Sequence, residues 1–229
     1  MRRLILFDID GTLLTTDGVA GRAFRAALER VFGTSGPASG YSFAGKTDPE
    51  IARELLLAGG VHEPSIDEGL AAVWEHYTPA LERDIVDAET RVFPGVRELV
   101  TRLHEHPDAI LGLLTGNLRE GARIKLGAVG LDFDWFQVGA FGSDHAARRE
   151  LPAIAIARAE ERFGRRFEGK DVVIVGDTPL DVACGEHLGV RTVAVATGSY
   201  SVEQLAACRP DHLFASLEDT DAVWRAIFD

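Results

Sequence analysis

Five short apolar runs lie along the 229-residue chain. They are LILF (4–7), AILGLL (109–114), the weaker FQVGAF (136–141), DVVIVG (171–176) and RTVAVA (191–196). Each run is almost uninterrupted, which is typical of strands covered on both faces in a parallel sheet. Between them the apolar spacing predicts helices over 95–106, 118–131, 151–164 and 179–189. The alternation predicts an α/β fold with a doubly wound, Rossmann-like parallel sheet.

Residues 15–92 interrupt this alternation. They contain helical patterns around 19–32, 48–58 and 65–83 and no strand run, and TSGPASGYS (34–42) has the composition of a loop. We interpret 15–92 as a helical cap inserted above the carboxyl edge of the sheet, with 1–14 and 93–229 forming the α/β core. At the C-terminus, SLEDTDAVWRAIFD predicts a closing helix with Ser216 as its N-cap.

The formal net charge of −12 argues against binding to nucleic acid or to an anionic membrane surface, since both depend on excess Lys and Arg. The apolar run after MRR stops at Phe7, too early for a signal peptide, and no stretch reaches the ~18 apolar residues of a membrane span. Two isolated cysteines, Cys184 and Cys208, are typical of a reducing compartment. We therefore expect a cytoplasmic protein without nucleic-acid or membrane partners, either a monomer or a homodimer.

Polar residues recur where three of the apolar runs end. They are Asp8 and Asp10 after the first run, Thr115, Gly116 and Asn117 after the second, and Asp177 and Asp181 after DVVIVG. Ligands of open α/β sheets bind beyond the carboxyl ends of the strands, so we expect these residues to meet in one site.

Several carboxylates in one place need a compensating cation. A hard divalent ion such as Mg²⁺ prefers oxygen ligands and leaves room for a substrate phosphate, and Asp8 and Asp177 are the natural ligands. Thr115, Gly116 and Asn117 offer a hydroxyl, N–H groups and an amide for phosphate oxygens. No Ser–His–Asp or Cys–His arrangement accompanies them, so the candidate nucleophile is itself a carboxylate.

FDIDGTLL, LLTGN and VVIVGDTPLD, in this order, resemble the first, second and fourth motifs of the haloacid dehalogenase-like (HAD) hydrolases, especially the phosphoglycolate-phosphatase-like branch. The resemblance covers the whole chain, and the helical insertion is similar to the family's type I cap. It implies that Asp8 is a nucleophile forming a phosphoaspartyl intermediate and that Asp10 is a general acid and then a general base.

The resemblance also implies a ligand set. Mg²⁺ would be held by the Asp8 carboxylate, the Asp10 backbone carbonyl and Asp177, with Asp181 as a weaker ligand or orienting group. Thr115 and the backbone of Gly116 and Asn117 would hold the transferring phosphoryl group.

The third motif of the family usually supplies a lysine, and GSDHAARRELPAIAIARA contains none. Arg148 and Arg149 are the cations of that stretch, and arginine can clamp phosphate and balance carboxylates. We favour Arg148, with Arg149 second. Lys125 lies on a predicted helix and is assigned to a solvated face, and Lys170 is assigned to the surface.

In FAGKTDPEIARELL two interpretations stay open. Thr47 or Asp48 is an N-cap with no further role, or the loop reaches the active site and contributes to substrate choice, with Lys46 near the phosphate or a substrate carboxylate and Thr47 beside it.

The leading hypothesis is a Mg²⁺-dependent phosphomonoester hydrolase acting on a small phosphorylated metabolite. The alternatives are a β-phosphoglucomutase-like phosphoryl transfer and, from a different class, a non-catalytic phospholigand-binding protein. The dehalogenase branch lacks the second acid of the first motif, so Asp10 argues against it.

Overall fold

A computed structural model describes residues 2–37 and 40–229. Part of the expected loop at 34–42, namely residues 38–39, lies outside the described residues. The strands are β1 (Arg3–Phe7), β2 (Leu14–Thr15), β3 (Arg91–Val92), β4 (Ala109–Thr115), β5 (Val138–Phe141), β6 (Val172–Gly176), β7 (Arg191–Val195) and β8 (His212–Phe214). Six of them form one sheet of order β5-β4-β1-β6-β7-β8, in which every pairing is parallel. The five predicted strands are present. The three-residue edge strand β8 and the two-residue strands β2 and β3 are not predicted by the sequence pattern.

The core helices are α4 (Val96–His104), α5 (Arg119–Ala128), α6 (Leu151–Phe163), α7 (Pro179–Cys184), α8 (Val202–Ala207) and α9 (Thr220–Phe228). The prediction of Ser216 as an N-cap is wrong. The cap of α9 is Asp219, whose side chain accepts a hydrogen bond from the Ala222 N–H. Ser216 instead accepts one from the Glu218 N–H in the preceding turn at 3.3 Å.

Both faces of the sheet are covered by helices. Along β1, Ile5 and Phe7 belong to a buried cluster with side chains of α4, α5 and α9. Leu4 and Leu6 point the other way and belong to a second cluster with side chains of α6. Since successive strand residues face opposite sides, a run with no polar interruption requires this double cover. The doubly wound α/β prediction is confirmed.

Between β2 and β3 lie α1 (Val19–Phe32), α2 (Asp48–Ala58) and α3 (Glu63–Asp84), which share a hydrophobic cluster of their own. Leu118, the residue before α5, and Ile124, in the middle of α5, also belong to that cluster, so the three helices pack on the core at α5. The strands β2 and β3 pair antiparallel where the chain enters and leaves this helical layer. Across residues 2–37 and 40–229, no helix is long and apolar enough to cross a membrane.

Candidate active site

The first cluster of polar side chains lies at the carboxyl ends of β1 and β6. These neighbouring strands mark the point where the strand order reverses, because β4 and β5 lie on one side of β1 and β6 to β8 lie on the other. Carboxylate oxygens of Asp8, Asp177 and Asp181 all lie within 4.8 Å of one another, and all three residues are buried. Burial raises the pKa values of Asp8 and Asp177, and the charges of the neighbouring acids raise them further. Such a cluster favours any cation that can reach it.

Arg148 supplies one such cation. It lies in a short turn before α6, is 5% exposed, and places Nη2 3.1 Å from Asp8 Oδ1. The same nitrogen forms an ion pair with Asp181. Arg149 instead faces solvent, with its side chain 79% exposed, and pairs with Glu150 at 3.2 Å. The structure therefore brings Arg148 to the acids and places Arg149 outside the site.

The three acids differ in which oxygens remain free. Asp181 Oδ1 pairs with Arg148, and its Oδ2 accepts hydrogen bonds from the N–H (3.0 Å) and hydroxyl (2.7 Å) of Thr178 in the capping box of α7. Asp177 Oδ1 accepts one from the Thr12 hydroxyl at 3.0 Å. Asp8 Oδ2 and Asp177 Oδ2 receive no hydrogen bond from the described residues. This arrangement fits a hard cation bound between Asp8 and Asp177, with Asp181 in an orienting position.

Gly11 makes room for this arrangement. It has φ of +88°, a conformation in which glycine is unstrained, and a Cβ there would overlap the Asp177 carboxylate. The turn after β1 can therefore approach the end of β6 only with glycine at this position.

Asp10 lies on the cavity side of the buried acids, with its side chain 42% exposed. Asn117 donates through Nδ2 to Asp10 Oδ2 at 2.8 Å and to the Thr115 hydroxyl at 2.7 Å. The polar residues that follow β1 (the first polar segment) thus meet those that follow β4 (the second polar segment), as expected. Gly116 lies against the loop that precedes α2 in the helical layer, and a Cβ there would overlap the carbonyl oxygen of Lys46.

Residues 46–48 connect the helical layer to the sheet edge. Thr47 caps α2, accepting from the Glu50 N–H, and also donates to the carbonyl oxygen of Ala146. The Asp48 N–H donates to the Gly116 carbonyl at 2.8 Å. This segment therefore begins a helix and also reaches the carboxyl edge of the sheet. Its part in substrate choice stays a prediction.

The side chains of this segment have partners of their own. Lys46 Nζ bonds to Glu54 at 2.5 Å and to the Tyr41 hydroxyl at 3.2 Å, while the residue lines the cavity. The buried Asp48 carboxylate accepts the Leu118 N–H at 2.8 Å, at the start of α5. Burial raises the pKa of Asp48 to about 6, although the Lys125 charge and the Leu118 N–H both lower it.

The prediction that Lys125 lies on a solvated face is wrong. It is 4% exposed rather than solvated, and Nζ lies 2.6 Å from both Asp10 Oδ2 and Asn117 Oδ1. The signal was present in the spacing, because Ala122, Leu126 and Val129 are buried and position 125 falls in the same stripe of α5. Lys170 is exposed as expected and pairs with Asp211 at 2.6 Å.

A cavity of about 760 Å³ opens above these residues, between the sheet edge and the helical layer. Arg22 and Arg25 of α1 and Arg91 of β3 also line the cavity, and none of the three forms an ion pair with any described residue. After β7, Thr197 also lines the cavity and donates its hydroxyl to the Gly11 carbonyl at 2.5 Å. None of these four residues is predicted by the sequence pattern, although Thr197 directly follows the apolar run at 191–196.

We expect Asp48→Asn to stabilise the protein in a pH-dependent way. Because burial raises the Asp48 pKa, the stability that its protonated form contributes is present near pH 4 and is lost as pH rises through about 6. The variant's gain should be under about 1 kcal/mol at pH 4, about half of its maximum at pH 5, and up to about 3 kcal/mol above pH 7, since the amide oxygen still accepts the Leu118 N–H. Urea unfolding from pH 4 to 8 measures it. Glu68→Gln, at an exposed position, is the control, and a gain independent of pH would contradict the prediction.

Arg148→Met should lower the free energy of unfolding by about 3–5 kcal/mol at pH 7, because it leaves two buried carboxylates without their cation. Arg149→Met is the matched control and should change it by less than about 0.5 kcal/mol, as expected for an exposed site. Equal effects in urea unfolding would contradict the different positions of the two side chains.

The sequence and the fold both match known proteins. A family model described as haloacid dehalogenase-like hydrolase matches residues 5–195. Pyrophosphatase PpaX of Listeria innocua is 26% identical over 226 residues, covering 96% of this chain and 95% of that protein. The probable phosphatase IndB of Dickeya dadantii is 27% identical over 211 residues, covering 92% and 88%. The crystal structure of a predicted phosphoglycolate phosphatase from Haemophilus somnus superposes with a TM-score of 0.70 at 20% identity, covering 97% and 98%. The chain belongs to the haloacid dehalogenase-like hydrolase family and is a phosphatase-type enzyme of that family.

Proposed function

We propose that this protein is a Mg²⁺-dependent phosphomonoester hydrolase that acts on a small phosphorylated metabolite through a phosphoaspartyl intermediate. The observation that carries the proposal is the state of Asp8. One of its oxygens is held by Arg148 and the other is free, and the residue lines a cavity that also contains Thr115 and Asn117. A fixed carboxylate next to hydrogen-bond donors is suited to in-line attack on phosphorus.

In the first step an Asp8 oxygen forms a bond to phosphorus while the bond to the leaving oxygen breaks, and Asp10 gives a proton to that oxygen. In the second step a water oxygen attacks phosphorus, Asp10 takes the water proton, and the Asp8–phosphorus bond breaks. Thr115, Asn117 and Arg148 orient the phosphoryl group and balance its charge.

Mg²⁺ would be held by the Asp8 and Asp177 carboxylates together with the Asp10 carbonyl, which accepts no hydrogen bond from the described residues. When bound it supplies positive charge beside the nucleophile and the phosphoryl oxygens. We assign Asp181 to orienting Arg148, because both of its oxygens already have partners.

The arginines that line the cavity support a narrower substrate class. Three arginines without an acidic partner line the cavity in a protein whose net charge is −12, and charged donors of this kind bind a carboxylate or phosphate well. We propose that the substrate carries a second anionic group besides the transferred phosphoryl group. The name of the pyrophosphatase relative is compatible with this class.

Phosphoryl transfer to a second hydroxyl, as in β-phosphoglucomutase-like enzymes, would use the same residues and differ in its acceptor. The product distinguishes the two reactions, because hydrolysis releases inorganic phosphate and transfer to a hydroxyl forms a new phosphate ester. A cytoplasmic location and a monomeric or homodimeric state belong to the same proposal.

Asp8→Asn should abolish phosphate release from p-nitrophenyl phosphate, because an amide cannot form the covalent intermediate. Wild-type turnover should require Mg²⁺ and stop with EDTA. Phosphate release is measured colorimetrically, with Arg149→Met as the control that retains activity. A wild-type protein with no EDTA-sensitive turnover on a broad panel of phosphate esters would overturn the proposal.

Arg25→Gln should raise the KM for 2-phosphoglycolate by about 10-fold while leaving that for ethyl phosphate within about twofold, since a charged hydrogen bond is lost only for the first ester. Arg30→Gln, on the exposed side of the same helix, is the control. Steady-state kinetics with both esters measures the ratio. Parallel KM changes for the two esters would remove the case for a second anionic group.

A further inference from the structure

Lys125 and Asn117 hold the same oxygen of Asp10. Lys125 Nζ donates to Oδ2 at 2.6 Å and Asn117 Nδ2 donates to Oδ2 at 2.8 Å. No described residue donates a hydrogen bond to Oδ1, and the Asp10 side chain is 42% exposed in the cavity wall. The two oxygens of this carboxyl group are therefore not equivalent.

Lys125 also fixes the orientation of its partner. Its ammonium donates to Asn117 Oδ1 at 2.6 Å, which points the Asn117 amide nitrogen at Asp10 and at the Thr115 hydroxyl. A lysine has donors only, so the amide oxygen of Asn117 must face it. One buried ammonium thus sets the positions of two side chains at the cavity floor.

We propose that Lys125 is a positioning residue for proton transfer, and this rests on the proposed function. With two donors on Oδ2, the proton that Asp10 gives to the leaving oxygen is carried on Oδ1, the oxygen open to the cavity. As the phosphorus–oxygen bond of the ester breaks, the O–H bond on Oδ1 breaks and the proton passes to the leaving oxygen. Lys125 keeps Oδ1 aimed at that oxygen and itself transfers no proton.

The burial of Lys125 supports a specific role. A lysine that is 4% exposed has lost its water, and its charge requires close partners. Within α5, Arg123 shows the ordinary alternative, with its side chain 48% exposed and bonded to Glu120 on the helix surface. The two cations share one helix and differ in what they contact, which makes Arg123 a matched control.

The test uses leaving groups that differ in their need for a proton. An alkyl phosphate expels a strongly basic oxygen, whereas p-nitrophenolate leaves without protonation. Lys125→Met should lower kcat/KM for ethyl phosphate by about 100-fold or more, the scale of a misplaced general acid, and by less than about 10-fold for p-nitrophenyl phosphate. The quantity kcat/KM reports the first phosphoryl transfer, in which Asp10 acts as the acid. Arg123→Gln should change neither value.

Two further variants keep the test decisive if Lys125→Met folds poorly, as judged by circular dichroism and thermal unfolding. Lys125→Arg, which keeps the charge and donors, should recover part of the ethyl phosphate activity, and Lys125→Gln should recover less. In an Asp10→Ala background, Lys125→Gln should have no added effect on ethyl phosphate, because the two residues act as one unit.

Equal losses on both esters, or additive losses in the Asp10→Ala background, would overturn the proposal for Lys125 while leaving the phosphatase function in place. An inactive wild-type protein would instead overturn the proposed function and this inference with it. The two failures are therefore distinguishable.

Discussion

The burial of Asp8, Asp177 and Asp181 at one edge of the sheet is the constraint on which the rest of the site depends. Carboxylates this close repel one another and resist ionisation when they are removed from water. Arg148 reaches them from the turn before α6 and neutralises part of that charge. The remaining negative charge, with free oxygens on Asp8 and Asp177, is suited to a hard cation. The same electrostatics therefore governs the stability of this edge and the proposed catalysis.

A second constraint is the close contact between the helical layer and the second polar segment. The Asp48 N–H and carboxylate bind the Gly116 carbonyl and the Leu118 N–H, and Gly116 leaves room for the Lys46 carbonyl. Leu118 directly precedes α5, the helix that carries Lys125. The helical layer therefore holds the start of that helix through Asp48. The geometry around Asp10 is thus built from three parts of the chain, namely the turn after β1, the start of α5 and the cap loop.

Much of this arrangement was readable from the sequence because it rests on local patterns. Uninterrupted apolar runs identify strands buried on both faces, and polar residues after them identify the carboxyl edge where Asp8, Thr115 and Asp177 meet. The edge strand β8 has no such pattern, because it is three residues long and none of its residues is fully buried. The start of α9 was misplaced because Ser216 and Asp219 are both good capping residues, and local sequence does not say which one the chain uses.

The sequence by itself determined the layered α/β fold and the residues at its carboxyl edge, since strand period, burial and turn chemistry are properties of neighbouring positions. Tertiary structure alone decided which cation meets which acid. Arg148 and Arg149 are adjacent and chemically identical, and only the direction of the turn before α6 sends one to Asp8 and the other to solvent. Lys125 is 115 residues from Asp10 along the chain. Its contact depends on how α5 packs against β1, because long-range electrostatic partners are set by packing and not by sequence spacing.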